Sequence, residues 1–317
     1  MSKSGFVCVC GLPNVGKSTL LNRIIGENIF ITSKKPETTR NRQKAIFTDD
    51  RGQIVFIDTP GMLSVKTKLE KYMLEEIKNA FIDIDALLLI EDVNFKINDD
   101  LTEGFFTNKD HNKLLDLIKK INCKKILILN KIDTLENKDE ILNKINEFKN
   151  INNFDEIIPI SAKNGDGIND LLSTLFNYMK EGPLFYPEDD ITDLPIKRII
   201  ADFIRKQMLL KLDKEIPHYV TVNIESMKEL KDIYHIDAEI ICDRDNHKGI
   251  IIGSKGKMIK DIGIGARIES EKFLSKKVNL KLFVKVKNNW YNNENLMKNY
   301  GYIKEWYNKS KWHHYWN

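Results

Sequence analysis

Apolar and polar positions over the first 180 residues alternate between two periods. Short apolar runs occupy residues 6–10, 53–57, 86–90, 125–129 and 156–160, each about the length of a buried strand. Between them apolar residues recur three and four apart, as in Leu114, Leu115, Leu117, Ile118 and Ile121, and again in Ile168, Leu171, Leu172, Leu175 and Phe176. That spacing lines one face of a helix. Strand–helix alternation predicts right-handed crossovers and a mostly parallel sheet with helices on both faces. Residues 42–48 read as a further strand, tied to 53–57 through Asp49-Asp50-Arg51-Gly52. This turn composition predicts an antiparallel hairpin at the sheet edge, making six strands.

The pattern changes near Lys180. Residues 182–190 combine two prolines, a glycine and three acids and read as a linker. Beyond it the periodicity predicts a helix over 197–212, alternating strands over 218–225 and 234–242, a helix–glycine turn–helix block over 249–277 and a strand over 278–287. This is a second, α+β domain, and no internal repeat is visible. The expected division is 1–181, a linker at 182–195, a second domain at 196–290, and a C-terminal helix or tail at 291–317.

A length of 317 residues suits two domains. With 42% hydrophobic and 30% charged residues, wholesale disorder is excluded. The net charge of +4 hides a segregation: residues 1–180 sum to 0, 181–246 to −6 and 247–317 to +10. Such asymmetry points to an anionic partner for the C-terminal end, nucleic acid or lipid. No apolar run approaches the roughly 18–20 residues of a membrane span, and the apolar stretch at 6–10 is too short for a signal peptide. Cys8, Cys10, Cys123 and Cys242 form no CxxC pair, so neither a zinc site nor a redox motif is indicated. Reduced thiols in a cytoplasmic protein are the expectation, with Cys8 and Cys10 facing the core.

Gly11-Leu12-Pro13-Asn14-Val15-Gly16-Lys17-Ser18 fits GxxxxGK[ST] directly after a strand and before a helical pattern. In such a loop the backbone N–H groups of residues such as Asn14, Val15, Gly16 and Thr19 converge on phosphate oxygens, helped by the helix N-terminus. Lys17 brings charge to the β/γ-phosphates, and the Ser18 hydroxyl is a Mg²⁺ ligand. Asp58-Thr59-Pro60-Gly61 ends the next strand: Asp58 suits Mg²⁺ through water, and Gly61 lets a backbone N–H approach the γ-phosphate. Asn130-Lys131-Ile132-Asp133 follows the run at 125–129. The Asp133 carboxylate can accept two N–H bonds from guanine N1 and N2, a donor pair that adenine lacks. Asn130 would tie this loop to the phosphate loop and the Lys131 stem would cover the base. Ser161-Ala162-Lys163 offers a backbone N–H to guanine O6. Ligands bind outside the carboxyl ends of a doubly wound sheet, which is where this ordered set falls.

The four motifs, with Pro36-Glu37-Thr38-Thr39-Arg40 between the first two, resemble the translation-factor-like GTPases. The resemblance implies that a threonine of this segment completes Mg²⁺ coordination when the γ-phosphate is present. Thr39 is preferred and Thr38 is the alternate. Met62 stands where Ras-like enzymes place a water-orienting glutamine. In relatives with asparagine at the Asn14 position, that side chain helps hold K⁺. The catalytic set is therefore Lys17, Thr39, Gly61 and Asn14, with slow hydrolysis stimulated by K⁺.

Gly253-Ser254-Lys255-Gly256 is a GxxG turn inside the +10 segment, flanked by Lys248, Lys257 and Lys260. In KH domains such a turn clamps about four nucleotides of backbone, and Ile252, Ile259 and Ile262 are candidates to support a groove for bases. The helix-first order suits a type II KH domain. The whole chain resembles the Era family, through 11–19, 36–40, Lys68-Leu69-Glu70-Lys71-Tyr72-Met73, the linker, Lys248–Gly253 and the strand before Asn289-Trp290. The resemblance implies binding of GTP, GDP and Mg²⁺, recognition of 16S-type rRNA near its 3′ end, and action in 30S subunit assembly. It also implies some peripheral association with the inner face of the membrane. A monomer is expected.

Three departures stand out: Glu37 replaces the family's usual glutamine, residues 94–110 form a polar insertion containing aromatics, and the chain runs on to Asn317. That extension carries Trp306, Trp312 and Trp316, and with Trp290 all four tryptophans lie in the last 28 residues. They are candidates for base stacking or membrane anchoring, against a last helix packed on the KH domain. Two competing classes remain. A tRNA-modifying or tandem-domain relative needs a second GTPase domain or a C-terminal cysteine, neither of which is present. A membrane-associated regulatory GTPase would direct the +10 segment at lipid.

Overall fold

The computed structural model describes residues 2–36, 38–61, 65–96, 105–149 and 154–302. The strands β1 (Lys3–Cys10), β2 (Gln43–Asp49), β3 (Gly52–Asp58), β4 (Ala86–Asp92), β5 (Lys124–Asn130) and β6 (Glu156–Pro159) form one sheet in the order β2-β3-β1-β4-β5-β6. All neighbours on this path are parallel except the β2–β3 hairpin. The six expected strands gain a seventh, β7 (Lys180–Glu181), antiparallel to the start of β1. Two residues carry no readable periodicity.

The helices α1 (Lys17–Ile25), α2 (Lys68–Ala80), α3 (Lys109–Lys119), α4 (Lys138–Lys149) and α5 (Ile168–Tyr178) accompany this sheet. Because both of its faces are covered, the central strands are apolar without interruption. Val7, Val9, Leu88 and Leu127 have no exposure, and Cys8 and Cys10 are buried as expected. A capping box starts α2: the Glu70 N–H donates to Thr67 Oγ1 at 3.2 Å, and the Thr67 N–H donates to Glu70 Oε2 at 2.7 Å.

The second unit follows the order α6 (Ile196–Lys211), β8 (Val220–Glu229), β9 (Ile233–Cys242), α7 (Asp245–Ile252), α8 (Lys257–Leu274), β10 (Lys277–Val286). Its sheet runs β10-β9-β8, with β9 and β10 parallel and β8 antiparallel to β9. This is the α+β, type II KH arrangement. One boundary moves: α7 begins at Asp245, so Gly249 lies inside it. Glycine is poor in helix interiors by about 1 kcal/mol, which is why the sequence pattern places the start too late. Two side-chain expectations are also corrected. Ile262 is completely buried in the core and cannot face a groove, and Trp290 is completely buried and cannot stack on a base. Trp306, Trp312, Trp316, Glu37, Met62 and part of the 94–110 insertion lie outside the described residues.

The 182–195 segment is no free spacer. The Ile46 N–H donates to Ile191 O at 2.9 Å, and Thr192 Oγ1 donates to Lys44 O at 2.7 Å. The N–H groups of Phe185 and Tyr186 both donate to the Oε1 of buried Gln53, at 2.9 and 3.0 Å. Beyond β10, a short turn (Trp290–Asn292) and α9 (Glu294–Asn299) pack Trp290, Met297 and Tyr302 against Leu69 and Met73 of α2. Residues 290–302 therefore join the two domains rather than capping one.

Arg40 is the centre of that junction and has no exposure. Its Nη1 donates to Val220 O at 2.8 Å and its Nη2 to His218 O at 2.6 Å. The rings of Trp290 and Tyr302 lie 5.9 and 6.0 Å from its guanidinium carbon. Burial alone raises the Tyr302 phenol, but the guanidiniums of Arg40, Arg198 and Arg205 outweigh it and bring Tyr302 down to about 8. An unfolded tyrosine titrates near about 10, so between pH 8 and 10 the unfolded chain binds the extra proton and stability must rise with pH. Urea midpoints should therefore climb across this window in the wild type relative to Tyr302→Phe, and parallel curves for the two would show that the shift is absent.

Candidate functional site

The carboxyl ends of β1, β3, β4 and β5 open into a cleft of about 870 Å³. It is lined by Pro13, Asn14, Gly16, Lys17, Ser18 and Thr19 from the first loop, and by Thr38, Thr39 and Gly61. Asn130, Lys131, Asp133, Ala162 and Lys163 complete the far side. Sheet register explains the convergence. Val9 is level with Asp58, and Asp92 with Asn130, so each strand delivers its polar terminus to the same edge.

In the phosphate loop, Gly16 has φ 107° and Asn14 φ 67°, positive values that curl the chain tightly. A Cβ on Gly16 would stand 2.2 Å from Asn130 Nδ2, so only glycine fits. Buried Lys17 folds back to donate to Gly11 O and Leu12 O, both at 2.9 Å. Burial pulls its ammonium below its ordinary pKa, with Asp58 opposing. Exposed Asn14 donates through Nδ2 to Lys34 O at 2.7 Å.

Three oxygens meet beside Lys17. Thr39 Oγ1 donates to Asp58 Oδ2 at 3.0 Å; Ser18 Oγ lies 3.4 Å from the same carboxylate oxygen and 3.5 Å from Thr39 Oγ1. Of the two threonines, Thr39 brings its hydroxyl to this cluster, while the Thr38 carbonyl accepts from Arg205 Nη1 at 2.6 Å. Burial raises the Asp58 carboxyl, against Lys17, to about 6, and its Oδ1 is buried with no hydrogen-bond partner among the described residues. An orphaned carboxylate oxygen beside two hydroxyls is a hard-oxygen donor set that fits Mg²⁺. Gly61 lies against Pro13, where a Cβ would meet the Pro13 ring at 2.9 Å.

Asn130 ties the opposite wall together. Its Nδ2 donates to Val15 O at 2.7 Å, and its Oδ1 accepts from the Ala162 N–H at 2.9 Å. Ser161 Oγ donates to Asp133 Oδ1 at 2.7 Å, holding that carboxylate at the cleft. Lys131, at φ 70°, sends its Nζ to Asp92 Oδ2 at 2.6 Å. Sequence reasoning missed Asp92, and it missed Arg23, whose guanidinium holds the carbonyls of Ala162 and Lys163. Both are charged residues with a partner distant in sequence, which no local pattern reveals. It also missed Leu210 of α6, which lines the cleft from the second domain.

In that domain, Gly253 (φ 71°), Lys255 (φ 51°) and Gly256 (φ 75°) build the turn between α7 and α8. A Cβ on Gly253 would approach Met258 Cβ to 2.7 Å, whereas Gly256 faces open space. Ser254, Lys255, Lys257 and Lys260 are exposed and Lys248 is half-buried. A groove of about 290 Å³ beside them is lined by Ile259, Lys260, Gly263, Ile264, Arg267, Leu280 and Leu282.

Fold and cleft together define a phosphate-loop GTPase carrying a C-terminal KH domain. The family described as 50S ribosome-binding GTPase matches residues 6–131, and the KH domain family matches 215–291. The GTPase Era of Clostridioides difficile is 43% identical over 95% of this chain and 99% of its own length. That of Clostridium botulinum strain Alaska E43 is 42% identical over 96% and 100%. Two solved structures superpose with TM-scores of 0.88 at 35% identity, each covered completely. One is a variant of Aquifex aeolicus Era bound to GDP and AlF₄⁻, matching 95% of this chain; the other is Era with MgGDPNP and nucleotides 1506–1542 of 16S ribosomal RNA, matching 96%. This chain belongs to the Era family of GTPases and is itself a GTPase.

Asn130→Ala would leave the Val15 carbonyl and the Ala162 N–H without their buried partner, at a cost of about 1–3 kcal/mol each. Calorimetric titration should show GDP affinity falling at least tenfold with the KH domain still folded; unchanged affinity would mean the two loops hold each other without it.

Proposed function

We propose that this chain is a GTP-driven switch that binds 16S-type rRNA near its 3′ end through its KH domain and acts in assembly of the 30S subunit. What carries the proposal is the match to the rRNA-bound Era structure over 96% of the chain, both domains together. The division into a GTPase domain at 1–181, a connecting segment at 182–195, a KH domain at 196–290 and a C-terminal segment beyond belongs to the same proposal.

In this reading Lys17 and the N–H groups of Asn14, Val15, Gly16, Ser18 and Thr19 receive the phosphates. Ser18, Thr39 and Asp58 would hold Mg²⁺, which when bound neutralises charge building on the phosphates. Gly61 offers its N–H to the γ-phosphate. Asp133 accepts from guanine, Asn130 and Ser161 fix the loops that present it, Ala162 and Lys163 supply backbone at the base edge, and the Lys131 stem covers the ring. Asn14 would help hold K⁺, so turnover should be faster in K⁺ than in Na⁺ buffer. Gly253, Ser254 and Gly256 admit the RNA backbone, and Lys248, Lys255, Lys257 and Lys260 neutralise its phosphates beside the apolar groove.

The +10 segment also suits an anionic membrane surface, and no helix among the described residues is long and apolar enough to cross a bilayer. Lys255→Glu combined with Lys257→Glu should weaken binding of a 16S 3′-end RNA at least tenfold and flatten its salt dependence, leaving GTP affinity unchanged. Crosslinking in cells should recover small-subunit rRNA 3′ ends. Recovery of tRNA, or vesicle binding without RNA binding, would overturn the assignment.

A further inference from the structure

The helix α6 opens the second domain, yet it runs beside the segment that carries Thr39. Contacts from three residues, Gln43, Thr38 and Lys35, mark the path of the helix and the turn just after it. Gln43 Nε2 donates to Asp202 Oδ2 at 3.0 Å, Arg205 Nη1 donates to Thr38 O at 2.6 Å, and Lys35 Nζ donates to Leu212 O and lies 3.1 Å from Asp213 Oδ1. The central contact matters most for the nucleotide cleft. The Thr38 carbonyl and the Thr39 nitrogen belong to one rigid peptide plane. The same plane includes the Thr39 Cα, so a donor fixed on that carbonyl sets where that Cα stands, leaving the φ and χ1 torsions of Thr39 to direct its hydroxyl. From there Thr39 Oγ1 reaches Asp58 Oδ2. The next residue, Arg40, points its side chain away into the KH domain. Thr39 thus faces the cleft while the residues on either side are held by the opposite domain.

We propose that Arg205, contributed by the KH domain, is a positioning residue for the GTPase centre: it holds the Thr38–Thr39 peptide so that the Thr39 hydroxyl is presented to the metal and γ-phosphate. Arg205 is 2% exposed, and a guanidinium so enclosed is stable only with fixed acceptors around it. The Thr38 carbonyl is one, and Asp202 lies 4.0 Å away on the same helix. Its planar fork suits a fixed backbone acceptor better than a lysine ammonium does. The proposal rests on the assignment of Thr39 as a ligand of the triphosphate state. It makes the affinity difference between triphosphate and diphosphate depend on a residue that touches neither nucleotide.

The test uses the full chain with Mg²⁺, GDP and GDPNP. Affinities for both nucleotides, the Mg²⁺ concentration needed for GDPNP binding, and thermal midpoints are measured in wild type, Arg205→Met, Arg205→Lys and Thr39→Ala. Arg205→Met should weaken GDPNP about tenfold, the worth of one charge-assisted hydrogen bond, and raise the Mg²⁺ requirement, with GDP affinity within twofold. Arg205→Lys should recover part of the loss, and adding Arg205→Met to Thr39→Ala should cost nothing further. An unchanged GDPNP-to-GDP ratio in both Arg205 variants, beside a collapsed ratio in Thr39→Ala, overturns the proposal. Equal weakening of both nucleotides with a lowered thermal midpoint also overturns it, as a purely structural role. An unchanged ratio in Thr39→Ala instead removes the Thr39 assignment beneath it. Where Arg205→Met does not fold, Arg205→Lys decides.

Discussion

A guanidinium removed from water is tolerable only where acceptors and aromatic faces replace its hydration shell. Arg40 extends from the GTPase domain, but these replacements come from elsewhere: the His218 carbonyl ahead of β8, the Val220 carbonyl at its start, and the rings of Trp290 and Tyr302 near the end of the described chain. Drawing the domains apart would leave that charge to find water and would expose Trp290 and Tyr302 together. Their relative placement is therefore set by a charge that has nowhere else to go. Arg40 is also one residue from Thr39, so this constraint bears on the nucleotide cleft directly.

The cleft itself follows from the sheet. Parallel strands in register bring Cys10, Asp58, Asp92 and Asn130 to one edge, and the loops leaving that edge need only short side chains to meet. Asn130 bridges to Val15 and Ala162, and Ser161 braces Asp133. The hydroxyl–carboxylate cluster of Ser18, Thr39 and Asp58 draws on three chain segments: the first turn of α1, the stretch before β2 that Arg205 contacts, and the end of β3. Its acidic member is fully buried, and one of its oxygens has no hydrogen-bond partner among the described residues. An unpaired buried acceptor costs free energy in the bare chain, and the three oxygens together are a donor set that fits a divalent cation.

Most of this was legible in the residues. The phosphate loop, Asp58–Gly61, Asn130–Asp133 and Ser161–Lys163 are contiguous signals, each tied to a strand end by hydrophobic periodicity. The GxxG turn was readable because small residues and lysines interrupt a helical pattern. What failed was non-local or too short. β7 has two residues, Gly249 sits inside a helix against its propensity, and Ile262 reads the same at a groove or in a core. Trp290 looked available because exposure cannot be read from composition. The partners of Arg40, Arg205 and Lys131 were invisible, since a long charged side chain gives no hint of whether it meets solvent or a carbonyl or carboxylate far along the chain.

The strand β2 bounds the sheet, and a bounding strand offers unpaired N–H and C=O groups to any extended chain that reaches it. Here the segment after β7 occupies that rim, taking the Ile46 N–H and the Lys44 carbonyl through Ile191 and Thr192, while Lys44 pairs with Asp193 at 2.9 Å. The stretch that connects the domains thus doubles as a guard against β-augmentation. A nascent or proteolysed chain that ended before it would present an open edge, and self-association through β2 is the hazard that the connecting segment removes.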